Sequence, residues 1–150
     1  GHIKEVFTML GRHPQRPRFT GGLEAALVTS EIARRLKELR PRSLFFAYDT
    51  PSDLPPLVEA GKILREAGFI TPDHILQCYV LVGYKGDTMD KAMKRLGEAW
   101  IAGFLPFAML FRDEQGKCSA EWRRFQREFA SPKKSRPNCI KYFGKSQFKD

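Results

Sequence analysis

Leu76-Gln77-Cys78-Tyr79-Val80-Leu81-Val82, followed by Gly83-Tyr84-Lys85-Gly86-Asp87-Thr88, is the stretch that decides the fold. The first seven residues are a short apolar run, the pattern of a strand buried on both faces. The next six hold two glycines and end in Asp87 and Thr88, either of which can cap a helix. Met89, Ala92, Met93, Leu96, Ala99, Trp100 and Gly103 then recur on one side of that helix. Strand, glycine turn and helix in this order predict one unit of an α/β fold.

The same order recurs on both sides. Ser43 to Tyr48 is a second buried run, followed by Asp49-Thr50-Pro51-Ser52-Asp53. Ser52 or Asp53 is suited to cap the next helix, whose buried stripe is Leu54, Leu57, Ala60, Leu64 and Ala67. Ala67-Gly68-Phe69 and Ala102-Gly103-Phe104 are matching helix endings with glycine where a left-handed cap is needed. Further upstream, Pro17 to Thr20 is expected to be a short strand running into Gly21-Gly22, with Val28, Ile32, Leu36 and Leu39 as the stripe behind it. Ile3, Val6, Phe7 and Leu10 predict an opening helix that stops at Gly11. Downstream, Pro106 to Phe111 is the fourth strand, and Trp122, Phe125 and Phe129 mark a final helix.

Four apolar strands, each followed by a helix, require helix-length crossovers and therefore a parallel sheet. The expected class is α/β, as a partial (β/α) barrel of about four parallel strands over residues 1–131, with 132–150 a basic C-terminal tail. The 150 residues suffice for one core, and 42% hydrophobic with 29% charged residues is an ordinary globular composition. No apolar run approaches a membrane span, and Cys78, Cys118 and Cys139 are too scattered for a disulfide framework, so a reducing, cytoplasmic setting is expected. The net charge is +9, and over half of the excess lies in Lys133, Lys134, Arg136, Lys141, Lys145 and Lys149.

Ligands of parallel α/β sheets bind at the carboxyl ends of the strands, here the loops after Thr20, Tyr48, Val82 and Phe111. Gly21 and Gly22 allow close backbone approach to a ligand, with helix amides behind them for an anion, or they simply make a tight turn. Glu24, expected in the first helical turn, binds a cationic group or complements the helix dipole. Tyr48, Asp49, Gly83, Tyr84, Lys85 and Arg112 occupy the corresponding positions on later strands, with Asp113 and Glu114 beside them. The Gly83–Thr88 turn lacks the Gly-Lys-Ser/Thr order of a P-loop. His2, His13 and His74 lie beside no ligand cluster, so no metal site is legible, and no hydrolase elbow or Cys-His pair occurs.

FTGGLEA after the first strand, FFAYDT at the second, and YVLVGYKGDTMDKAMKRLGEAWIAGF resemble the radical S-adenosylmethionine enzymes over roughly residues 3 to 130. With MLFRDE and EWRRFQREFASP, the run is similar to an uncharacterised iron-sulfur oxidoreductase-like group of bacteria and their phages. The resemblance implies a partial barrel whose Gly-Gly-Glu loop meets the methionyl amino group, placing Gly21, Gly22 and Glu24 against S-adenosylmethionine. It also implies that the ends of the later strands face ribose, adenine or substrate, with Gly83 to Thr88 as the family's glycine turn carrying Lys85 in place of proline. Leu23 displaces the acid by one position.

The family's 4Fe-4S cluster is held by C-x3-C-x2-C, which this chain does not contain. The resemblance therefore implies a cluster-bearing unit upstream, in a longer protein that would cleave S-adenosylmethionine to a 5′-deoxyadenosyl radical. The present chain is expected to be inactive alone and to hold neither cluster nor cofactor stably. Two other readings stand beside it. One is a nucleic-acid-binding module using Tyr142, Phe143 and Phe148 among the tail lysines; the other is a non-catalytic nucleotide- or phosphate-binding domain at Gly21-Gly22. An incomplete barrel would also expose strand edges through which the chain could self-associate. The substrate is not legible.

Overall fold

The computed structural model describes residues 1–69 and 75–146; His74, Phe148 and Lys149 lie outside the described residues. The elements in order are α1 (His2–Arg12), β1 (Arg18–Phe19), α2 (Ser30–Glu38), β2 (Ser43–Tyr48), α3 (Leu54–Glu66), β3 (Leu76–Val82), α4 (Met89–Ile101), β4 (Leu105–Leu110), α5 (Ala120–Arg127) and α6 (Pro132–Phe143). Four strands form one all-parallel sheet in the order β1-β2-β3-β4. The α/β expectation therefore holds, with a helix after every strand.

Local chemistry explains the boundaries. Thr29 and Thr88 side chains accept the amides of Ile32 and Lys91 at the starts of α2 and α4. At the end of α3, Gly68 takes φ +103° while its amide and that of Phe69 return to the carbonyls of Arg65 and Leu64. Gly103, at φ +101°, closes α4 in the same way, with Phe104 bonded to Ala99. Both are Schellman endings, so the echo read in the sequence is a repeated helix stop.

The helices α2, α3 and α4, which cross between sequential parallel strands, pack side by side on one face of the sheet. Leu44, Phe46, Tyr48, Cys78, Val80, Val82 and Ala108 point there and join helix residues such as Leu57, Leu64, Leu96 and Trp100 in the core. Register pairs Ala47 with Tyr79, Tyr79 with Phe107 and Leu81 with Met109 on the opposite face. Phe45, Ala47, Tyr79, Leu81 and Phe107 are only half-buried there, and Met109 is 43% exposed. That face carries an aromatic group: Phe45 stacks on Tyr79 at 4.4 Å, and Phe107 meets Tyr79 edge-on at 5.7 Å.

Three expectations change. The first strand is limited to Arg18 and Phe19, because it pairs only with Ser43 and Leu44 at the sheet edge. Phe111 lies just past β4, although its amide still bonds to the Val82 carbonyl. Most of the basic tail is part of the domain: 132–143 is a helix with Ser135 and Cys139 buried. Phe143 packs on α4 at Gly97, where even a Cβ would sit 3.0 Å from the Phe143 ring.

Burial against β4 explains that packing. As the last strand, β4 would leave its outer polar groups unpaired, at a cost of about 1–3 kcal/mol each when buried. Ser135 donates its hydroxyl to the Pro106 carbonyl at 2.6 Å, and Gln126 donates its amide to the Ala108 carbonyl at 3.0 Å. The Ala108 amide reaches the Phe129 carbonyl at 3.0 Å. Pro106 itself has no N–H to satisfy, which suits an edge position.

Candidate functional site

Four loops line the carboxyl rim of the sheet, and neighbouring strands stand about 4.8 Å apart, so the rim spans roughly 14 Å from β1 to β4. At the β1 end, Gly22 has φ +81°, a conformation that disfavours side chains. Gly21 has no such backbone need, and a Cβ at either glycine would meet nothing within 4 Å. The loop is anchored from below: Leu23 donates its amide to the Phe45 carbonyl at 2.6 Å, and Tyr79 donates its hydroxyl to the Thr20 carbonyl at 3.3 Å. Burial raises the Tyr79 phenol above its ordinary pKa, so it remains a donor at neutral pH.

Glu24 does not occupy the expected helical turn. It precedes a short 3-10 turn, Ala25–Leu27, and α2 begins only at Ser30 with Thr29 already capping it. The helix amides are thus not behind the glycines. Glu24 instead lines an almost wholly apolar cavity of about 240 Å³ with Val6, Phe7, Leu10, Leu27 and Ile32.

At β2 the predicted pair separates. Tyr48 is 3% exposed and points to the helical face, where its hydroxyl donates to Glu98 on α4 at 2.8 Å. Burial, then the Glu98 hydrogen bond, pushes its pKa up to about 12. It therefore packs the core instead of facing a rim ligand, because β2 alternates and Tyr48 shares its face with Phe46. Asp49 is exposed at the rim, with its carboxyl raised by desolvation first and by Asp53 second. Thr50 and Asp53 form a capping box on the short turn before α3, in which the Asp53 carboxylate accepts the amides of Asp49 and Thr50, both at 2.9 Å.

The loops after β3 and β4 enclose a cleft of about 510 Å³. Gly83 and Tyr84 line it together with Lys85, Phe111, Lys117 and Trp122. Gly83 has φ +76°, which disfavours a side chain, and a Cβ there would press on Trp122 at 3.2 Å and Leu110 at 3.3 Å. Tyr84 is 54% exposed and meets Phe111 edge-on at 4.8 Å. Arg112 is adjacent but turns into its own loop, donating to the Gly116 carbonyl at 3.3 Å. Asp113 folds the same loop by accepting the amides of Gln115 and Lys117.

Asp87 holds the β3 turn in place. Its carboxylate pairs with Arg95 at 2.6 Å and accepts the amides of Gly83 and Thr88, while Arg95 also donates to the Leu81 carbonyl. Burial alone would push this carboxyl up, but Arg95 and the two amides outweigh it and keep it below its ordinary pKa.

The rim therefore unites Gly83 and Tyr84 in one cleft and leaves Gly21, Gly22 and Asp49 at neighbouring strand ends. Tyr48 faces the core, and Glu24 is exposed at the edge of the apolar cavity beside α1. The sequence reading missed Tyr79, Phe111 and Trp122. Tyr79 meets Phe45 and Phe107 from the two neighbouring strands, a cross-strand grouping that no periodicity along the chain marks. Cys78 and Cys139 are buried thiols raised by desolvation, and Cys118 lies apart at the cleft. No group of three or more metal-ligating side chains occurs among the described residues. No described helix is long and apolar enough to cross a membrane. Comparison with protein-family models, curated proteins and solved structures finds no match for this chain.

Proposed function

We propose that the carboxyl rim of this sheet binds the methionyl and adenosyl parts of S-adenosylmethionine, as part of a partial (β/α) barrel of the radical S-adenosylmethionine type. The observation that carries the reading is Gly21. Its backbone needs no glycine and the space at its Cβ position is open, which leaves the backbone accessible to close approach by a ligand. The strand order supports it too. A sequential parallel sheet has no reversal of strand order and hence no doubly wound crevice, which leaves the rim and the open aromatic face as the places for a ligand.

Fit differs between the two groups that the family uses. The glycine loop and the exposed Tyr84 suit the organic cofactor: backbone approach at one end, an aromatic wall at the other. Glu24, the acid that the family would set against the amino group, is exposed at the edge of the apolar cavity beside α1. The three cysteines do not suit an iron-sulfur cluster, because two are buried protonated thiols and the third stands apart. No step through a cluster is assigned to these residues; any such cluster needs other ligands. The share of this chain is to bind, orient and shield the organic cofactor.

Titration calorimetry at millimolar S-adenosylmethionine tests this, because the chain alone is expected to hold the cofactor only weakly. Gly21→Ala is expected to leave the melting temperature unchanged and to weaken binding at least tenfold. Unaltered affinity in Gly21→Ala, or no heat with S-adenosylmethionine or S-adenosylhomocysteine, overturns the proposal. Binding of simple nucleotides alone would move the site to the nucleotide-binding reading.

A further inference from the structure

We infer that the outer surface of α5 and α6 is a nucleic-acid-binding face that grips the phosphate backbone without reading bases. It shares no residue with the strand-end rim. The α5 helix presents Arg123, Arg124 and Arg127, all exposed. On α6, Lys133, Lys134, Arg136 and Lys141 are exposed as well, and Lys145 follows the helix. The acids of the same stretch are Glu121 and Glu128.

These cations have no ion-pair partner among the described residues, whose salt bridges lie on α2, α4 and the β3 turn. Their scaffold is fixed, unlike the loose terminus that a basic tail suggests. Phe129, fully buried, sits between Phe125 and Tyr142, and Asn138 on α6 donates to the Glu128 carbonyl at 2.9 Å. The Trp100 indole donates to the Gly144 carbonyl at 3.1 Å and ties down the end of α6. The helices that carry the charge are already folded and packed, so binding need not order their backbone.

Charge complementarity selects the partner. A twelve-residue helix such as α6 is about 18 Å long, and duplex DNA presents roughly ten phosphates over that length. Insertion into a membrane is disfavoured, since Ile140 at 39% and Tyr142 at 43% are the exposed large apolar side chains of α6. Lys141 stands 5.2 Å from the Tyr142 ring, so the aromatic group lies within the cationic surface.

Fluorescence anisotropy of the full chain with a labelled 20-nucleotide DNA of mixed sequence, as single strand and as duplex, tests the inference across about 50–200 mM salt. Log affinity should fall linearly with log salt. The triple variant Lys133→Gln/Lys134→Gln/Arg136→Gln should lose at least tenfold in affinity at low salt, and its slope on duplex should shrink by about 2–3. Arg124→Gln/Lys141→Gln, one change on each helix, should show a smaller loss. An equal-charge control on α1, α3 and α4, Lys4→Gln/Lys62→Gln/Lys91→Gln, should bind almost as the parent does. All these positions are exposed, so melting curves should coincide. Absence of binding at low salt, equal losses in both triple variants, or binding to phosphatidylserine vesicles without binding to DNA each overturns it.

Discussion

Asp87 shows how one side chain can set the shape of a candidate site without facing a ligand. It is buried between Arg95 and two amides, so truncating it leaves a guanidinium without its partner in a poorly solvated place. Asp87→Asn is expected to cost about 3 kcal/mol in chemical denaturation at neutral pH. The carboxyl titrates below its ordinary value when folded. Its contribution is therefore complete above about pH 3.9 and is lost as pH falls through the lower folded value. The stability gap between parent and Asp87→Asn should shrink on acidification below that point; a gap independent of pH would contradict the pairing. The two loop glycines offer a second contrast. Gly22→Ala must take φ +81° and should lose about 1 kcal/mol, whereas Gly21→Ala should lose almost nothing.

At the scale of elements, α6 and the end of α5 close the sheet. Their groups satisfy the outer edge of β4 at Pro106 and Ala108, so that part of the strand has no open ladder for another chain. Ser135→Ala would leave the Pro106 carbonyl buried without a donor and should cost about 1–3 kcal/mol by urea denaturation. Hydrogen exchange gives an independent check: the Ala108 amide should be protected like a central-strand amide despite its edge position. The helix itself was hidden in the sequence. Residues 132–143 contain Pro137 and a run of lysines, and few apolar positions mark the buried side, which is carried by Ser135 and Cys139.

For the whole molecule, the asymmetry of the sheet is the main organising fact. One face is covered by helices and forms the core; the other is aromatic and half-open, unusual for parallel strands. Phe46, fully buried and 5.1 Å from Phe104, should lose about 3–5 kcal/mol on change to alanine. Phe107→Ala on the open face should lose clearly less, and equal losses would mean that the faces are misassigned. The charge is asymmetric as well, concentrated on α5 and α6, which separates the surface inferred to bind polyanions from the rim proposed for the organic cofactor.

The alternation of strands and helices, the Gly68 and Gly103 stops and the parallel sheet were legible in the residues because they rest on local periodicity and turn chemistry. The glycine positions of the rim were legible for the same reason. Which way Tyr48 and Tyr79 point was not: when nearly every residue of a strand is apolar, alternation no longer marks the covered face, and a one-residue shift would exchange the two. Glu24's place beside α1, the anchoring of Thr20 by Tyr79 and the capping of β4 by Ser135 and Gln126 likewise depend on residues far apart in the chain. Sequence by itself determined the kinds and order of elements, since these follow from neighbours along the chain; tertiary structure decided which side chains reach the rim and which enter the core, since that follows from what packs against each face.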